Sequence, residues 1–373
     1  MEEYDVVVVG GGIAGSVASR FAAKSGFKTL LIEKYKTPRN KACSGVQWTY
    51  FERLIGEKIP REKLCENELS KVELITPTDR VLKGGMKLLN FWRSTFDSWL
   101  NTLAVKAGAE FQDETSLTDF HKDEKGFIIK ISAKNQRREV KTQYLVGADG
   151  LSSSVRRKLR PEDFDKKSSG ATLNYYFVGD TDLDPNTLYL FYKKEFSPLM
   201  FSWVYKKDEK WVIGTGADKN LLEYAERFFD YVKKKHSLHG EIVKKEGFSS
   251  TFRDGVFLGE GNLLMVGDAA GLIDFYRGMG MDNAALSGRL AAKAIMKAKE
   301  KNCPAIKPYQ CLMKRAVSRL ETNAKRQAKR YSSNEMFEKS FSSLSLMKFG
   351  LLAIIGNQIN KVLPAEKLIL LPI

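Results

Sequence analysis

The chain has very few of the residues that hold metals or staple small folds. Its 373 residues include only 3 histidines and 4 cysteines: Cys43, Cys65, Cys303 and Cys311. No C-x-x-C occurs, and no cysteine has a histidine at ligand spacing, so neither a zinc site nor a disulfide framework is expected. A reducing, cytoplasmic compartment fits that usage. No apolar run approaches the roughly 20 residues that a membrane-spanning helix needs. The N-terminus runs straight into a strand pattern, so no signal peptide is expected. Acid is also scarce. Against 61 Lys and Arg stand 45 Asp and Glu, leaving a formal charge of +16 and a pI of about 9.4. Such an excess suits an anionic partner: nucleic acid, an anionic membrane, an acidic redox protein or a phosphorylated substrate. No nucleic-acid-binding module accompanies the charge, so no nucleic acid is expected. The composition, 43% hydrophobic and 28% charged, is globular, and the length suits two or three domains.

What is present begins at once. Tyr4 to Glu33 reads YDVVVVGGGIAGSVASRFAAKSGFKTLLIE. Val6 to Val9 have the character of a strand buried on both faces. Gly10, Gly12 and Gly15 follow in the spacing G-x-G-x-x-G. Ile13 to Lys24 reads as a helix stopped by Gly26, and Thr29 to Ile32 as a second strand with Glu33 at its end. Gly10 permits a tight turn, Gly12 lets a diphosphate approach the backbone, and Gly15 lets the helix pack on the strand. The diphosphate then meets the helix N-terminus and Glu33 accepts from ribose hydroxyls. With strand, helix, second strand and acid all in register, this is a dinucleotide site. Gly10, Gly12, Ala14, Gly15 and Glu33 are its expected contacts.

Further along, Lys34 to Gln47 is an irregular basic loop containing Cys43-Ser44-Gly45. Trp48 to Ile59 reads as a helix, Lys71 to Thr76 and Val81 to Trp92 as strands, and Arg93 to Gly108 as a helix. Phe111 to Tyr144 reads as a meander, followed by a strand ending at Ala148 and the pair Asp149-Gly150. From Ala171 come four aromatic-rich strands, 171–178, 187–192, 199–205 and 210–216, then a helix over 220–235. Both alternating side-chain sets of this sheet carry aromatics, so one set is expected to line a ligand cavity. Tyr176, Tyr189, Phe191, Phe201 and Trp203, with Gly214 and Gly216, are the candidates. A buried strand over 263–266 runs into Gly267-Asp268. A second glycine cluster, Gly278-Met279-Gly280-Met281, precedes a helix over 282–299, a place suited to negative charge on a bound ring. From Ile295 to Tyr331 the chain is helical and basic. The segment 343–373 mixes apolar runs with Lys and Gly, as in a closing or an interfacial helix.

Three separated signatures occur in order: G-x-G-x-x-G with Glu33, Asp149-Gly150 within VGADGLSSSVR, and Gly267-Asp268 within LLMVGDAAGLID. Arg93, opening RSTFDSWL, matches a fourth. Together they resemble the flavoprotein superfamily of the para-hydroxybenzoate hydroxylase fold over about residues 1 to 300. The resemblance implies an α/β fold with a Rossmann-like FAD-binding domain (1–70, 93–165 and 250–300). It adds an antiparallel substrate sheet (71–92 and 166–249) and a helical C-terminal region (301–373). It also implies bound FAD, with Asp268 on the ribityl chain and Arg93 near the diphosphate or adenosine end. Asp149-Gly150 would have a largely structural role near the flavin, and Gly278, Gly280 and Met281 would lie at the flavin end.

Within that superfamily, KACSGV, SPLMFSWVYKKDEKWVIGTG and GDAAGLIDFYRGMGMDNAALSG resemble the geranylgeranyl reductase group. The second stretch keeps Trp203, Lys207, Gly214 and Gly216 of that group's signature, but has Phe201 and Tyr205 for its tyrosine and phenylalanine and Lys206 for its proline. The proline usual after GDAAG is also missing. The resemblance implies reduction of isoprenoid C=C bonds by hydride from reduced flavin, with Cys43 assisting protonation or positioning the alkene. An isoprenoid or lipid substrate, an external electron donor (ferredoxin or NAD(P)H), a monomer and peripheral contact with an anionic membrane follow as expectations. A monooxygenase of an aromatic or polyketide-like substrate and an electron-carrying flavoprotein share the FAD signatures and remain open.

Overall fold

Val6, Val7 and Val8 have no exposed surface, as the run of apolar residues leads one to expect of a strand covered on both faces. They form the middle of β1 (Glu2–Val9), which leads into helix α1 (Ile13–Lys24) and β2 (Thr29–Ile32). β1 pairs parallel with β2, Val9 opposite Ile32. Its other edge pairs parallel with β9 (Gln136–Gly147), Val9 opposite Gly147. With β6 (Glu110–Gln112), β15 (Gly259–Glu260) and β16 (Leu263–Met265), the sheet order is β15-β16-β9-β1-β2-β6. The far edge of β9 serves two partners. Its first half continues the hairpin of β7 (Thr115–Lys122) and β8 (Phe127–Ala133), and Leu145 to Gly147 pair parallel with β16. The computed structural model describes residues 1–61, 67–134, 136–165, 168–252, 255–342 and 362–364.

Helix α1 packs against α3 (Arg93–Lys106) and α6 (Met281–Lys301), while the short α2 (Phe51–Ile55) also packs on α6. The α1–α6 contact is close because Gly288 has no side chain: a Cβ there would lie 2.3 Å from the Ala14 carbonyl oxygen. α6 ends at Lys301. Asn302, in the left-handed region at φ 46°, and Pro304 break what the sequence suggests is one long helix, and α7 (Ile306–Tyr331) begins beyond them. Tyr309 anchors α7 by donating to the Met265 carbonyl at 3.0 Å.

The second sheet has the order β14-β10-β13-β12-β11-β4-β5-β3. Its strands are β3 (Val46–Trp48), β4 (Leu69–Ile75), β5 (Val81–Asn90), β10 (Ser168–Asp180), β11 (Thr187–Phe191), β12 (Ser202–Lys207), β13 (Lys210–Ala217) and β14 (His239–Phe252). Neighbours are antiparallel except β11 and β4. One face buries Tyr175, Phe177, Tyr189, Phe191 and Trp211 against Phe228 and Val232 of helix α5 (Leu221–Lys235), which follows the smaller α4 (Ser154–Leu159) in the chain. The other face gathers Tyr176, Tyr205 and Val212 with Leu88, Trp92 and Trp203. Helix α8 (Asn334–Lys339) closes against β4 through Phe337 and Leu74.

Elements of the second sheet differ from the sequence reading. The helix expected over Trp48 to Ile59 is the end of β3 followed by the five-residue α2, so β3 and the start of β4 join the second sheet rather than the nucleotide-binding part. β14 is not apparent in HGEIVKKEGFSSTF because an edge strand needs little apolar pattern and carries lysines that discourage further pairing. The expected closing or interfacial helix over 343–373 lies outside the described residues, 362–364 excepted.

Candidate functional site

The turn between β1 and α1 depends on glycine. Gly10 has φ 110°, and a Cβ there would stand 2.5 Å from the Ala148 carbonyl oxygen, while one at Gly15 would stand 1.9 Å from that of Gly10. Gly12 is the N-cap residue of α1 and provides no side-chain cap. The first turn of α1 therefore keeps unsatisfied N–H donors. Gly12, Ile13 and Ala14 line a cavity of about 270 Å³. A bare cradle on a helix N-terminus fits a diphosphate.

Glu33, buried at the end of β2, accepts from the Gly11 N–H at 2.9 Å and the Tyr35 N–H at 3.1 Å. Arg39 lies 3.2 Å from the same carboxylate and 3.4 Å from Asp97, and its guanidinium lies 3.3 Å from where a Cβ on Gly12 would be. Arg93 opens α3 and grips Asp97 through two bonds of 2.8 Å. Burial opposes the Arg93 charge. Asp97, and then the Cys43 sulfur beside it, outweigh that effect and hold its pKa above the ordinary arginine value. Arg39 and Asp97 were not candidates in the sequence: Arg39 sits in a basic loop with no spacing signal and only the fold brings it to Gly12, while the signal for Asp97 was its place four residues after Arg93 on α3.

Asp149 caps α4. Its carboxylate accepts from the Ser154 N–H at 2.7 Å and the Val155 N–H at 3.2 Å, and Gly150 beside it reaches the cavity wall. Gly267, at φ 58°, sits where a Cβ would lie 2.9 Å from that of Ala14. Its N–H donates to Ser287. Asp268 faces the cavity, 3.4 Å from Lys41. The second glycine cluster is braced by a buried polar network that sequence spacing did not indicate. Arg277 bonds Asp274 at 2.6 Å and lies 3.2 Å from Asp282, Tyr50 donates to Asp282, and Asn323 of α7 donates to Asp274 at 2.8 Å. The result is a fixed loop that places Gly278, Gly280 and Met281 in the cavity wall.

Cys43 lines the same cavity, its Sγ 3.8 Å from Met281 Sδ. Leu199, Met200, Ile273 and Phe275 make the rest of the wall largely apolar. The structure thus brings Gly12, Ala14, Arg93, Gly150, Asp268, Gly278, Gly280, Met281 and Cys43 together, with Gly10, Gly15, Glu33, Asp149 and Gly267 shaping the turns behind them.

The aromatic candidates are distributed differently. Tyr189 and Phe191 face α5 in the core, on the sheet face opposite Tyr176. Tyr176 donates to Glu246 at 2.8 Å, and burial together with that carboxylate keeps its pKa above the usual phenol value. Trp203 bonds Asn174 at 2.9 Å. Phe201 backs the wall from behind Gly278. Of the seven substrate-pocket candidates only Gly216 is in the cavity lining, where the sheet contributes small residues, Gly170, Ala171 and Thr172. The aromatic candidates pack within the sheet's two faces, and the cavity opens beside small residues of the sheet, with Phe248 of β14 as the sheet's aromatic contribution to the lining.

Comparison with known proteins accords with this geometry. A family model described as FAD binding domain matches residues 3–300. The digeranylgeranylglycerophospholipid reductase of Thermoplasma acidophilum is 30% identical over 322 residues, 81% of this chain and 80% of that protein. A protein of the same name from Methanocaldococcus jannaschii is 29% identical over 78% of each chain. Among solved structures, a geranylgeranyl bacteriochlorophyll reductase-like protein from Thermoplasma acidophilum superimposes with a TM-score of 0.82 and 26% identity, covering 92% of both chains. The flavin-dependent brominase Bmp2, at 18% identity and a TM-score of 0.72 over 97% of this chain and 94% of its own, shares the fold.

Proposed function

The chain belongs to the FAD binding domain family and to that of the Thermoplasma acidophilum reductase, and on that premise we propose that it saturates isolated C=C bonds in the isoprenoid chains of a phospholipid or diphosphate. As an FAD-dependent oxidoreductase it needs an external reductant, for which ferredoxin or NAD(P)H are the candidates. The observation that carries the proposal is the composition of one cavity. Its floor is the glycine cradle of α1, its wall carries Cys43 beside Arg93, and the remainder is mostly apolar or small, Leu, Met, Ile and Phe interleaved with Gly and Ala, with Lys41 and Asp268 as its other charged members. An isolated alkene has no polar handle, so its binding rests on apolar burial worth about 0.8 kcal/mol per CH₂. A wall of that kind suits it.

Gly12 and α1 would hold the FAD diphosphate, Glu33 the ribose, and Asp268 the ribityl chain, with Gly278 to Met281 at the ring. In its reduced form FAD supplies a hydride to one alkene carbon. The protein's part is the other hydrogen. Cys43 delivers a proton to the second carbon from its position in the wall, and the sulfur left behind faces the Arg93 cation. Arg93 is oriented for this by Asp97. The apolar wall orients the chain and keeps bulk water from the reacting carbons.

The test is anaerobic. With dithionite-reduced protein and a digeranylgeranylglycerophospholipid, flavin reoxidation coupled to a gain of two hydrogens per bond is expected. Flavin that stays reduced with every isoprenoid, but reoxidises in air while an aromatic is hydroxylated, refutes the reading. Supplying NADPH or reduced ferredoxin in place of dithionite identifies the donor.

A further inference from the structure

Lys207 closes β12 and is 1% exposed. Its ammonium donates to the carbonyl of Ser44 and, at 2.9 Å, to that of Phe91, and it lies 4.8 Å from the centre of the Trp92 ring. Tyr205, two residues earlier on the same strand, also donates to the Ser44 carbonyl, at 3.2 Å. The loop answers in kind. Gly45 has φ 62°, a Cβ there would meet the Phe91 oxygen at 1.8 Å and Lys207 Nζ at 2.9 Å, and the Gly45 carbonyl accepts from the Phe91 N–H at 3.0 Å.

The two main-chain segments joined here carry the chemistry of the cavity. One ends in Cys43, immediately before Ser44. The other leads to Arg93, two residues after Phe91. Burying an ammonium is costly unless its donors are satisfied, and a methionine would fill the same volume without that cost. The residue's value here is its set of directed donors, which reach two carbonyls at once.

We infer that Lys207 is a positioning residue: it ties the Cys43–Gly45 loop to the Phe91–Arg93 segment and thereby sets where the Cys43 sulfur stands in the cavity wall. This rests on the proposed role of Cys43, but its test needs no turnover. Cys43 alkylation by iodoacetamide is followed by peptide mass spectrometry, in FAD-free and FAD-loaded protein, with Cys303 and Cys311 as internal references. Lys207→Ala is expected to raise the Cys43 rate at least tenfold while the reference rates stay unchanged. Added n-propylammonium, which restores the missing donors, is expected to bring it back down. Lys206→Ala, whose side chain lies over Trp211 and away from the loop, leaves the rate unchanged. Gly45→Ala forces the loop off the clamp with Lys207 intact, is expected to match Lys207→Ala, and decides the matter if that variant does not fold. Cys43 rates within twofold of wild type in the folded variants, or a rise in Lys207→Ala that propylammonium does not reverse, overturn the inference. A labelling result as expected, with no alkene reduced, would leave the clamp standing and the proposed reaction refuted.

Discussion

Gly214 and Gly216 stand two residues apart in one strand, yet alanine should act on stability at the first and on substrate binding at the second. At Gly214 a Cβ would lie 2.2 Å from Asn174 Oδ1 and 2.3 Å from Trp203 Nε1. It would fall on the hydrogen bond those two atoms make at 2.9 Å. Losing that bond costs about 1 kcal/mol and the overpacking roughly 1–3 kcal/mol, offset by about 0.4–1 kcal/mol from a less flexible unfolded chain. The balance is a destabilisation of roughly 1–3.5 kcal/mol. At Gly216 the nearest atoms to a Cβ are Thr172 Cγ2 at 3.3 Å and the Ala171 carbonyl oxygen at 3.4 Å, with Met200 Sδ at 3.9 Å. Only the Thr172 methyl has to yield, by a few tenths of an ångström, and the other two are at ordinary contact distance. Gly216→Ala should therefore stay within about 1 kcal/mol of wild type in stability while narrowing the cavity by a methyl group. Differential scanning calorimetry on FAD-loaded protein reads the first effect: for a chain of 373 residues the shift is about 1.3 °C per kcal/mol, so Gly214→Ala should lower Tm by roughly 1–5 °C. Substrate titration reads the second, with Gly216→Ala raising KM about fivefold, or about 1 kcal/mol. The reasoning is refuted if Gly214→Ala melts with wild type, or if Gly216→Ala is destabilised as much as its neighbour.

Gly15→Ala drives a Cβ into the Gly10 carbonyl, so FAD affinity should fall roughly 100-fold, about 3 kcal/mol, as measured by fluorescence titration of apoprotein. Asp97→Ala leaves the buried Arg93 without its bidentate partner and should cost about 3–5 kcal/mol in denaturant unfolding; a loss below 1 kcal/mol would contradict the assigned pairing. Burial, opposed by Arg330, pushes Tyr192 up to about 12. Because the unfolded phenol ionises near 10 and the folded one does not, this tyrosine's contribution is complete below pH 10 and is lost as pH rises toward 12, by at most about 2.7 kcal/mol. Tyr192→Phe should flatten the stability profile between pH 10 and 12 and leave it unchanged at pH 7.

The nucleotide-binding half is legible in the sequence because its determinants are local. Four valines, three glycines and a terminal acid within thirty positions specify strand, turn, helix and strand without help from elsewhere, and Val6 to Val9, Gly10 and Gly15 stand as that spacing implies. Asp149 is marked only by the resemblance, since nothing in the sequence reading announces α4, whose first N–H groups its carboxylate accepts from. The second sheet illustrates the limit. Alternation along a strand shows that its two faces differ, but the occupant of each face is set by a distant element. Helix α5 covers Tyr189 and Phe191, and Trp92 and Leu88 cover Tyr176, so the sheet gives the cavity Gly170, Ala171, Thr172, Gly216 and Phe248 instead. Asp97 lies only four residues from Arg93 on α3, and Lys207 stands in a stretch that the resemblance marks. The pairing of Arg39 with Asp97, and of Lys207 with the Ser44 and Phe91 carbonyls, joins residues tens of positions apart or more and exists only in the folded chain. Local spacing along the chain determined that this protein holds a dinucleotide. Tertiary packing decided which side chains that dinucleotide would face, since a buried charge takes its position from partners that the sequence leaves far apart.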